Sequence, residues 1–303
     1  MAEGGPFRFY NAMLERVSAQ HMSARHTAVP RSEDELRAIY GQRYADEYDP
    51  HAVERIRRLL PFFDLSGDEV VADFACGNGV LLELISPRVR AYAGVDFSDA
   101  FVRAAERRRE ARGIRNGTFH CDEIVAFCTQ HPNRFDVGFA LDFSEHIYDD
   151  QFVGIFSAIR GALRPGAPLY LHTPNREYFM EHLRHWGILP QIEGHVAVRD
   201  AARYHALLAH CGFASVHTRY LAHYLYPASA FHGLGTLPFV GRFFRARLFL
   251  TCHKRGEEPQ SLESALIEGS PAATGGRVYR QQRLGGLRRS IRRRHRLSHG
   301  GPP

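Results

Sequence analysis

No stretch of this chain is apolar for long enough to cross a membrane, and its charged, glycine-bearing start has no signal-peptide core. These absences predict a cytoplasmic protein. Only five of 303 residues are cysteines, at 76, 121, 128, 211 and 252, and none forms a Cys-x-x-Cys pair. The scatter argues against a thiolate zinc site and predicts buried free thiols in a reducing compartment. Most of the chain also lacks net charge. The last 50 residues, 254–303, hold 11 Lys/Arg and 4 Asp/Glu, whereas residues 1–253 hold 28 basic and 29 acidic residues. The near-neutral body disfavours nucleic acid as its partner. Also missing is the dinucleotide fingerprint Gly-x-Gly-x-x-Gly, because the position three past Gly79 is Leu82.

What is present is an apolar run ending in an acid, then small residues and two glycines, then a second apolar run: Glu69-Val70-Val71-Ala72-Asp73-Phe74-Ala75-Cys76-Gly77-Asn78-Gly79-Val80-Leu81-Leu82. This reads as a buried strand, a tight turn and a helix start. Gly77 and Gly79 leave room for a ligand against the backbone, and the helix N-terminus favours a negative group. Asp73 is placed to accept from a cationic amine. A second strand, Ala91 to Val95, ends in Asp96, 23 residues after Asp73. An acid there suits a ribose diol.

The spacing Asp73-x-Ala75-x-Gly77-x-Gly79 resembles motif I of class I S-adenosylmethionine (SAM) methyltransferases, with Ala75 where the family usually has its first glycine. Further segments fit the family in order. They are Gly94 to Ala105, Phe119 to Asp122, Arg134 to Asp142, a turn at Leu163 to Ala167 before a fifth strand Leu169 to Thr173, a sixth at Ser215 to Tyr220 and a seventh at Arg247 to Cys252. The resemblance implies an α/β fold, a seven-stranded, mostly parallel, doubly wound sheet of the Rossmann-like methyltransferase type. It implies SAM as cofactor, with Asp73, Ala75, Gly77, Gly79, Asp96, Phe97, Asp122 and Asp142 around it. The expected organisation is a leader with cap helices over 1–50, a methyltransferase domain over 51–254 and a disordered basic tail over 255–303.

Outside the motifs, Ser32-Glu33-Asp34-Glu35 reads as a capping box opening a helix towards Tyr40, and His51 to Leu60 reads as a helix ended by Pro61. Tyr40, Tyr44 and Tyr48 fall on one helical face, which core packing explains. The long connections 174–199 and 222–244 are expected to cover the pocket, since ligands bind beyond the carboxyl ends of parallel strands. The second is rich in aromatics; its alternative role is a membrane-touching or dimer surface. In the tail, Leu284, Leu287 and Ile291 recur among seven arginines from Arg283 to Arg296. That pattern reads equally as a basic amphipathic helix for a membrane surface or RNA and as a solvated tail.

Candidate chemistry follows the fourth and fifth strands. Asp142-Phe143-Ser144-Glu145-His146 puts two acids and an imidazole on one turn, and Glu193-Gly194-His195 brings a second imidazole from a long connection. Asp142, Glu145, His146 and His195 form a candidate set for one divalent ion; Mg²⁺, Mn²⁺, Fe²⁺ and Zn²⁺ all suit such donors. Without a metal, His146 or His195 is the candidate general base, beside Glu145. His172 also faces the pocket by position. With 18 histidines in the chain, chance placement competes with each of these readings.

The acid-x-x-Glu-His pattern with a downstream His resembles two methyltransferase groups, the ubiquinone-biosynthesis O-methyltransferases and the small-RNA 3′-terminal 2′-O-methyltransferases. In both, the resemblance implies a divalent metal that grips two adjacent oxygens; here Asp142 stands where those groups commonly carry Glu. The leading expectation is transfer of a methyl group from SAM to a hydroxyl of a small molecule, such as a phenol, a quinone precursor or a sugar. Methylation of an RNA 3′ end, N- or C-methylation of a metabolite, and a non-catalytic SAM-binding subunit are the alternatives.

Overall fold

The computed structural model describes residues 52–192, 194–224 and 228–256. The expected helix near Ser32, the tyrosine face at 40–48 and the basic tail lie outside the described residues.

Seven strands form one sheet: β1 (Val70–Phe74), β2 (Ala91–Asp96), β3 (Gly117–Cys121), β4 (Val137–Leu141), β5 (Pro168–Pro174), β6 (Phe213–Leu221) and β7 (Arg247–Lys254). Their order is β3-β2-β1-β4-β5-β7-β6. The pairs among β1 to β5 are parallel, and β7 lies antiparallel between β5 and β6. The strand order reverses between β1 and β4, the place where open α/β sheets leave a crevice beyond the strand ends.

Among the described residues seven helices accompany the sheet: α1 (Ala52–Arg57), α2 (Val80–Ile85), α3 (Asp99–Ala111), α4 (Ile124–Gln130), α5 (Asp149–Ala162), α6 (Phe179–His185) and α7 (Ala201–His210). β1 is buried along its whole length, as a strand covered on both faces must be. Its alternate residues enter different cores. Val70, Ala72 and Phe74 join Phe127 of α4, Phe152 and Phe156 of α5 and Tyr204 of α7. Val71 faces the other way, with Tyr92, Phe139, Tyr170, Phe249 and the side chains of α1 and α2. Strand β6, at the sheet edge, alternates half-buried and exposed positions after the buried Phe213.

Two local expectations shift. The helix expected over His51 to Leu60 is described over Ala52–Arg57, and Pro61 sits inside a following 3-10 turn, Leu60–Phe62, rather than stopping a helix. Proline is accepted there because its missing N–H falls among donors that a helix start leaves unused. Four cysteines are buried as expected, but Cys121 is exposed at the end of β3.

The rings of Phe152 and Phe156 stack 3.9 Å apart at 8° between planes, and both are fully buried. Phe156→Ala is expected to cost about 3–5 kcal/mol, the usual loss for emptying a buried aromatic site. Urea unfolding followed by circular dichroism measures it.

Candidate functional site

The turn leaving β1 holds three successive left-handed residues at alternate positions: Ala75 (φ 61°), Gly77 (φ 52°) and Gly79 (φ 76°). At Gly79 a Cβ would lie 2.8 Å from the Phe119 ring and 3.0 Å from the Ala105 Cβ, so space and backbone both require glycine. Gly77 differs. A Cβ there would meet nothing closer than the Phe101 ring at 3.9 Å, so the backbone faces open room suited to a ligand. Ala75 holds a conformation that costs an ordinary residue about 1–2 kcal/mol. The methyl is accommodated, as the departure from a glycine motif requires.

Asp96 closes this turn from β2. Its carboxylate accepts from the Gly77 N–H at 3.0 Å and from the Ser98 N–H at 2.9 Å. Burial pushes its pKa up to about 6. Asp73 is 3% exposed and accepts a 2.5 Å hydrogen bond from the Tyr92 hydroxyl. Burial outweighs that bond and pushes its pKa up to about 7. Phe97 follows Asp96, half-buried. The Asp122 N–H donates to the Asp96 carbonyl at 3.1 Å, while its carboxylate accepts from the Glu123 N–H at 2.8 Å. Asp73, Gly77, Asp96 and Asp122 thus gather around the ends of β1, β2 and β3.

Asp142 does something else. Its backbone is left-handed (φ 52°) just past β4. Its carboxylate is gripped by Arg55 Nε of α1 at 2.7 Å, by His172 Nδ1 of β5 at 2.8 Å and by Arg247 of β7. Burial would raise its pKa, but Arg55, His172 and Arg247 together hold it well below the usual carboxylate range. Both arginines also lie over the Tyr224 ring, at 5.3 and 5.8 Å. The structure therefore takes Asp142 out of the expected metal set, because two guanidiniums and the His172 imidazole already occupy its oxygens. His172 belongs to this cluster too, and burial lowers its pKa.

The other three expected donors do meet. A 3-10 turn, Ser144–His146, follows β4. Glu145 is 1% exposed, and its carboxylate accepts from the Thr173 hydroxyl at 3.0 Å. Burial raises its pKa, partly countered by His146. The Tyr204 hydroxyl bridges Ser144 Oγ at 2.8 Å and Thr173 Oγ1 at 3.0 Å. His146 Nδ1 lies 2.9 Å from the Gly194 carbonyl. A carbonyl only accepts, so Nδ1 carries the proton and the ring lone pair is on Nε2.

His195 reaches His146 because its loop is tied to the 144–147 turn. The Glu145 carbonyl accepts from the Val196 and Ala197 N–H groups, both at 3.0 Å. Arg199, 4% exposed, donates to the carbonyls of Ser144 (2.6 Å), Ile147 (2.7 Å) and Ala197 (3.1 Å) and to Asp149 (2.7 Å). The two imidazoles meet edge to face, 5.0 Å between centres. One ligand atom each from Glu145, His146 and His195 lies within 4.8 Å of the others. Donors about 2 Å from one ion sit roughly 3–4 Å apart, so a small closure of this set would hold a metal. Burial pushes His195 down to about 2, so it is neutral, and its buried Nδ1 finds no hydrogen-bond partner among the described residues. That unmet nitrogen, with one carboxylate and a second imidazole, fits a divalent-ion site. Glu193, next to this loop's glycine, lies outside the described residues.

Sequence reasoning missed Tyr92, Arg55, Arg247, Arg199 and Tyr204. Tyr92 had a signal: it sits on the strand expected beside β1, two residues before the level of Asp73. Arg199 had none, since its acceptors lie about 50 residues away in the chain.

Residues 71–166 match the family model of the methyltransferase domain, which covers the turn, Asp96 and Glu145-His146. A ubiquinone biosynthesis O-methyltransferase from Idiomarina loihiensis is 32% identical over 106 residues, 35% of this chain and 42% of that protein. The matched stretch thus spans less than half the length of this curated relative. Among solved structures, phosphoethanolamine N-methyltransferase 2 of Haemonchus contortus bound to SAM superposes with a TM-score of 0.52 at 16% identity, covering 76% of this chain and 61% of that one. The cyclase SpnF gives a TM-score of 0.55 at 15% identity, covering 76% and 98%. Both likenesses show the Rossmann-like methyltransferase fold, and the cyclase shows that this fold also hosts other chemistry.

The raised pKa values of Asp73 and Asp96 set a sign. The folded chain keeps these protons where the unfolded chain, ionising near 3.8, has lost them. Their contribution to stability is therefore fully present below about pH 4 and is lost as pH rises through about 6 and 7. Asp73→Asn is expected to flatten that part of the decline relative to the parent protein. Melting temperatures measured from pH 4 to 8 without ligand test it, and parallel curves would contradict it.

Proposed function

We propose that this chain is a SAM-dependent methyltransferase that methylates a hydroxyl oxygen of a small molecule. The observation carrying the reading is the open, left-handed backbone at Gly77, closed by Asp96, inside a segment that matches the methyltransferase domain. The relative named for O-methylation in ubiquinone biosynthesis supports an oxygen acceptor.

When bound, SAM supplies an electrophilic methyl group. Asp96 retains lone pairs for a ribose diol after accepting from Gly77 and Ser98. Asp73 keeps a second carboxylate oxygen beyond the one bonded to Tyr92, and a nearby cationic amine would favour its ionised form. Across the crevice, His146 offers Nε2 to the acceptor hydroxyl. That nitrogen would take the proton the hydroxyl sheds when its oxygen is methylated, and the methyl donor would depart as the neutral thioether. Alignment of oxygen, carbon and sulfur supplies much of the acceleration. Glu145, held by Thr173, faces the imidazolium that forms and stabilises it.

A second reading is favoured by the unmet Nδ1 of His195. Glu145, His146 and His195 would together hold one divalent ion, which lowers the pKa of a bound hydroxyl. His146 would then be a ligand and not the base.

Methyl-labelled SAM incubated with the purified chain and a panel of catechols and phenols, with and without chelator, tests both readings. Labelled methyl ethers are expected, and activity that survives chelator selects His146 as base. His146→Gln should lower turnover and leave SAM affinity unchanged. Asp96→Ala should weaken SAM binding by about 1–3 kcal/mol, the cost of losing hydrogen bonds to a charged group. Calorimetry measures that affinity, and equal binding by Asp96→Ala would overturn the cofactor assignment.

A further inference from the structure

Nine large apolar side chains are exposed among the described residues, and eight of them lie in two short stretches, 186–192 and 231–240. These belong to the connections that follow β5 and precede β7. Aromatic contacts join the two connections into one flap. The Phe179 ring of α6 meets Phe231 at 6.3 Å and Phe244 at 6.1 Å, and His182 meets Phe243 at 5.4 Å. The flap stands at the carboxyl edge of β5, where the Asn175 N–H donates to the Ala246 carbonyl at 3.1 Å. Its tip protrudes. Phe239 is 95% exposed, with a left-handed backbone (φ 62°) unusual for a bulky residue, and Trp186 is 67% exposed.

Charge on this part of the chain is one-sided. Residues 201–256 contain seven Lys/Arg and no Asp or Glu. A surface cleft of about 550 Å³ beside Phe239 is lined by Thr236, Leu237, Pro238, Arg242 and Arg245, so its charged groups are two guanidiniums. Glu181, the acid of α6, is paired with Arg184.

We propose that this flap is a peripheral docking surface for an anionic lipid membrane. Trp186, Ile188, Leu237, Phe239 and Val240 enter the interface, and Arg242 and Arg245 meet lipid phosphates. Protruding apolar tips rimmed by arginine suit a lipid interface, which needs no complementary pocket. Tryptophan in particular is favoured at the headgroup level. A symmetric pair of chains would bring Arg242 and Arg245 of two copies together with no acid among residues 201–256 to pair them. Among the described residues no helix is long and apolar enough to span a bilayer, so the contact is with the surface. It also places the edge of the sheet that carries the candidate site towards the lipid.

The chain has one tryptophan, Trp186, and its fluorescence reports on the flap directly. The full chain is mixed with vesicles of phosphatidylcholine alone or with a third phosphatidylglycerol, with and without brominated acyl chains. A blue shift and bromine quenching are expected with the anionic vesicles. Phe239→Ser should weaken partitioning by about tenfold or more, the worth of burying one aromatic side chain. Replacing Arg242 and Arg245 together by Gln should abolish the preference for anionic lipid. Melting temperatures equal to the parent's would show that these variants fold, a needed check because the half-buried Arg245 also donates to the Gly235 carbonyl at 3.1 Å. Vesicles that bind the chain while Trp186 emission stays unchanged would place the contact elsewhere and overturn the proposal. A blue shift that follows protein concentration without lipid would overturn it in favour of a second copy. Absence of vesicle binding would also overturn it.

Discussion

Four carboxylates, Asp73, Asp96, Asp142 and Glu145, are buried or nearly so along one edge of the sheet, and each must be matched there. An unmatched buried charge is costly enough that a protein either pairs it or neutralises it. Parallel strands create the problem, because β1, β2 and β4 all deliver their last residues to the same side. The solutions differ from acid to acid. Asp142 is matched permanently, by Arg55, Arg247 and His172, and its pKa falls. Asp73 and Asp96 receive only a tyrosine hydroxyl and backbone amides, and their pKa values rise. Glu145 receives one hydroxyl and faces a histidine. The under-matched acids are the ones poised for a cationic or hydrogen-bonding guest.

The same edge explains why distant segments converge. Arg55 comes from the helix before the sheet and Arg247 from its last strand to be formed in sequence, and both are drawn to Asp142. The closely apposed Tyr224 ring covers the two guanidiniums. On the other side of β4, Arg199 spends its donors on the carbonyls of the 144–147 turn, so the loop that carries His195 is fixed by backbone contacts and not by the histidine itself. That arrangement positions the two imidazoles and leaves His195 Nδ1 without a hydrogen-bond partner among the described residues. Antiparallel β7 then brings the aromatic flap to the end of β5, beside the crevice.

Much of this was legible in the sequence. Every strand was anticipated, β1 and β2 from apolar runs ending in an acid and the later ones from the family resemblance; β3 starts two residues before its aromatic signal at Phe119 because Gly117 offers no side chain to mark it. The Ala75–Gly79 turn and Asp96 were readable because their chemistry is local. Glu145, His146 and His195 were readable as a group, although only folding brings His195 across 49 positions to His146. Asp142 was misread as a metal donor. Its three partners, two arginines and a histidine, come from residues 55, 247 and 172, and no local pattern links them. Arg199 escaped for the same reason. Long-range pairing of charges is set by strand order, which composition and spacing do not encode.

The account rests most heavily on the crevice at the ends of β1 and β2 being the cofactor site. A crystal structure of the protein with S-adenosylhomocysteine tests this directly. The ribose hydroxyls are expected within hydrogen-bond distance of the Asp96 carboxylate, with the chain passing over the Gly77 backbone and the sulfur turned towards Glu145 and His146. A nucleoside bound elsewhere, or an empty crevice at saturating ligand, would contradict the account.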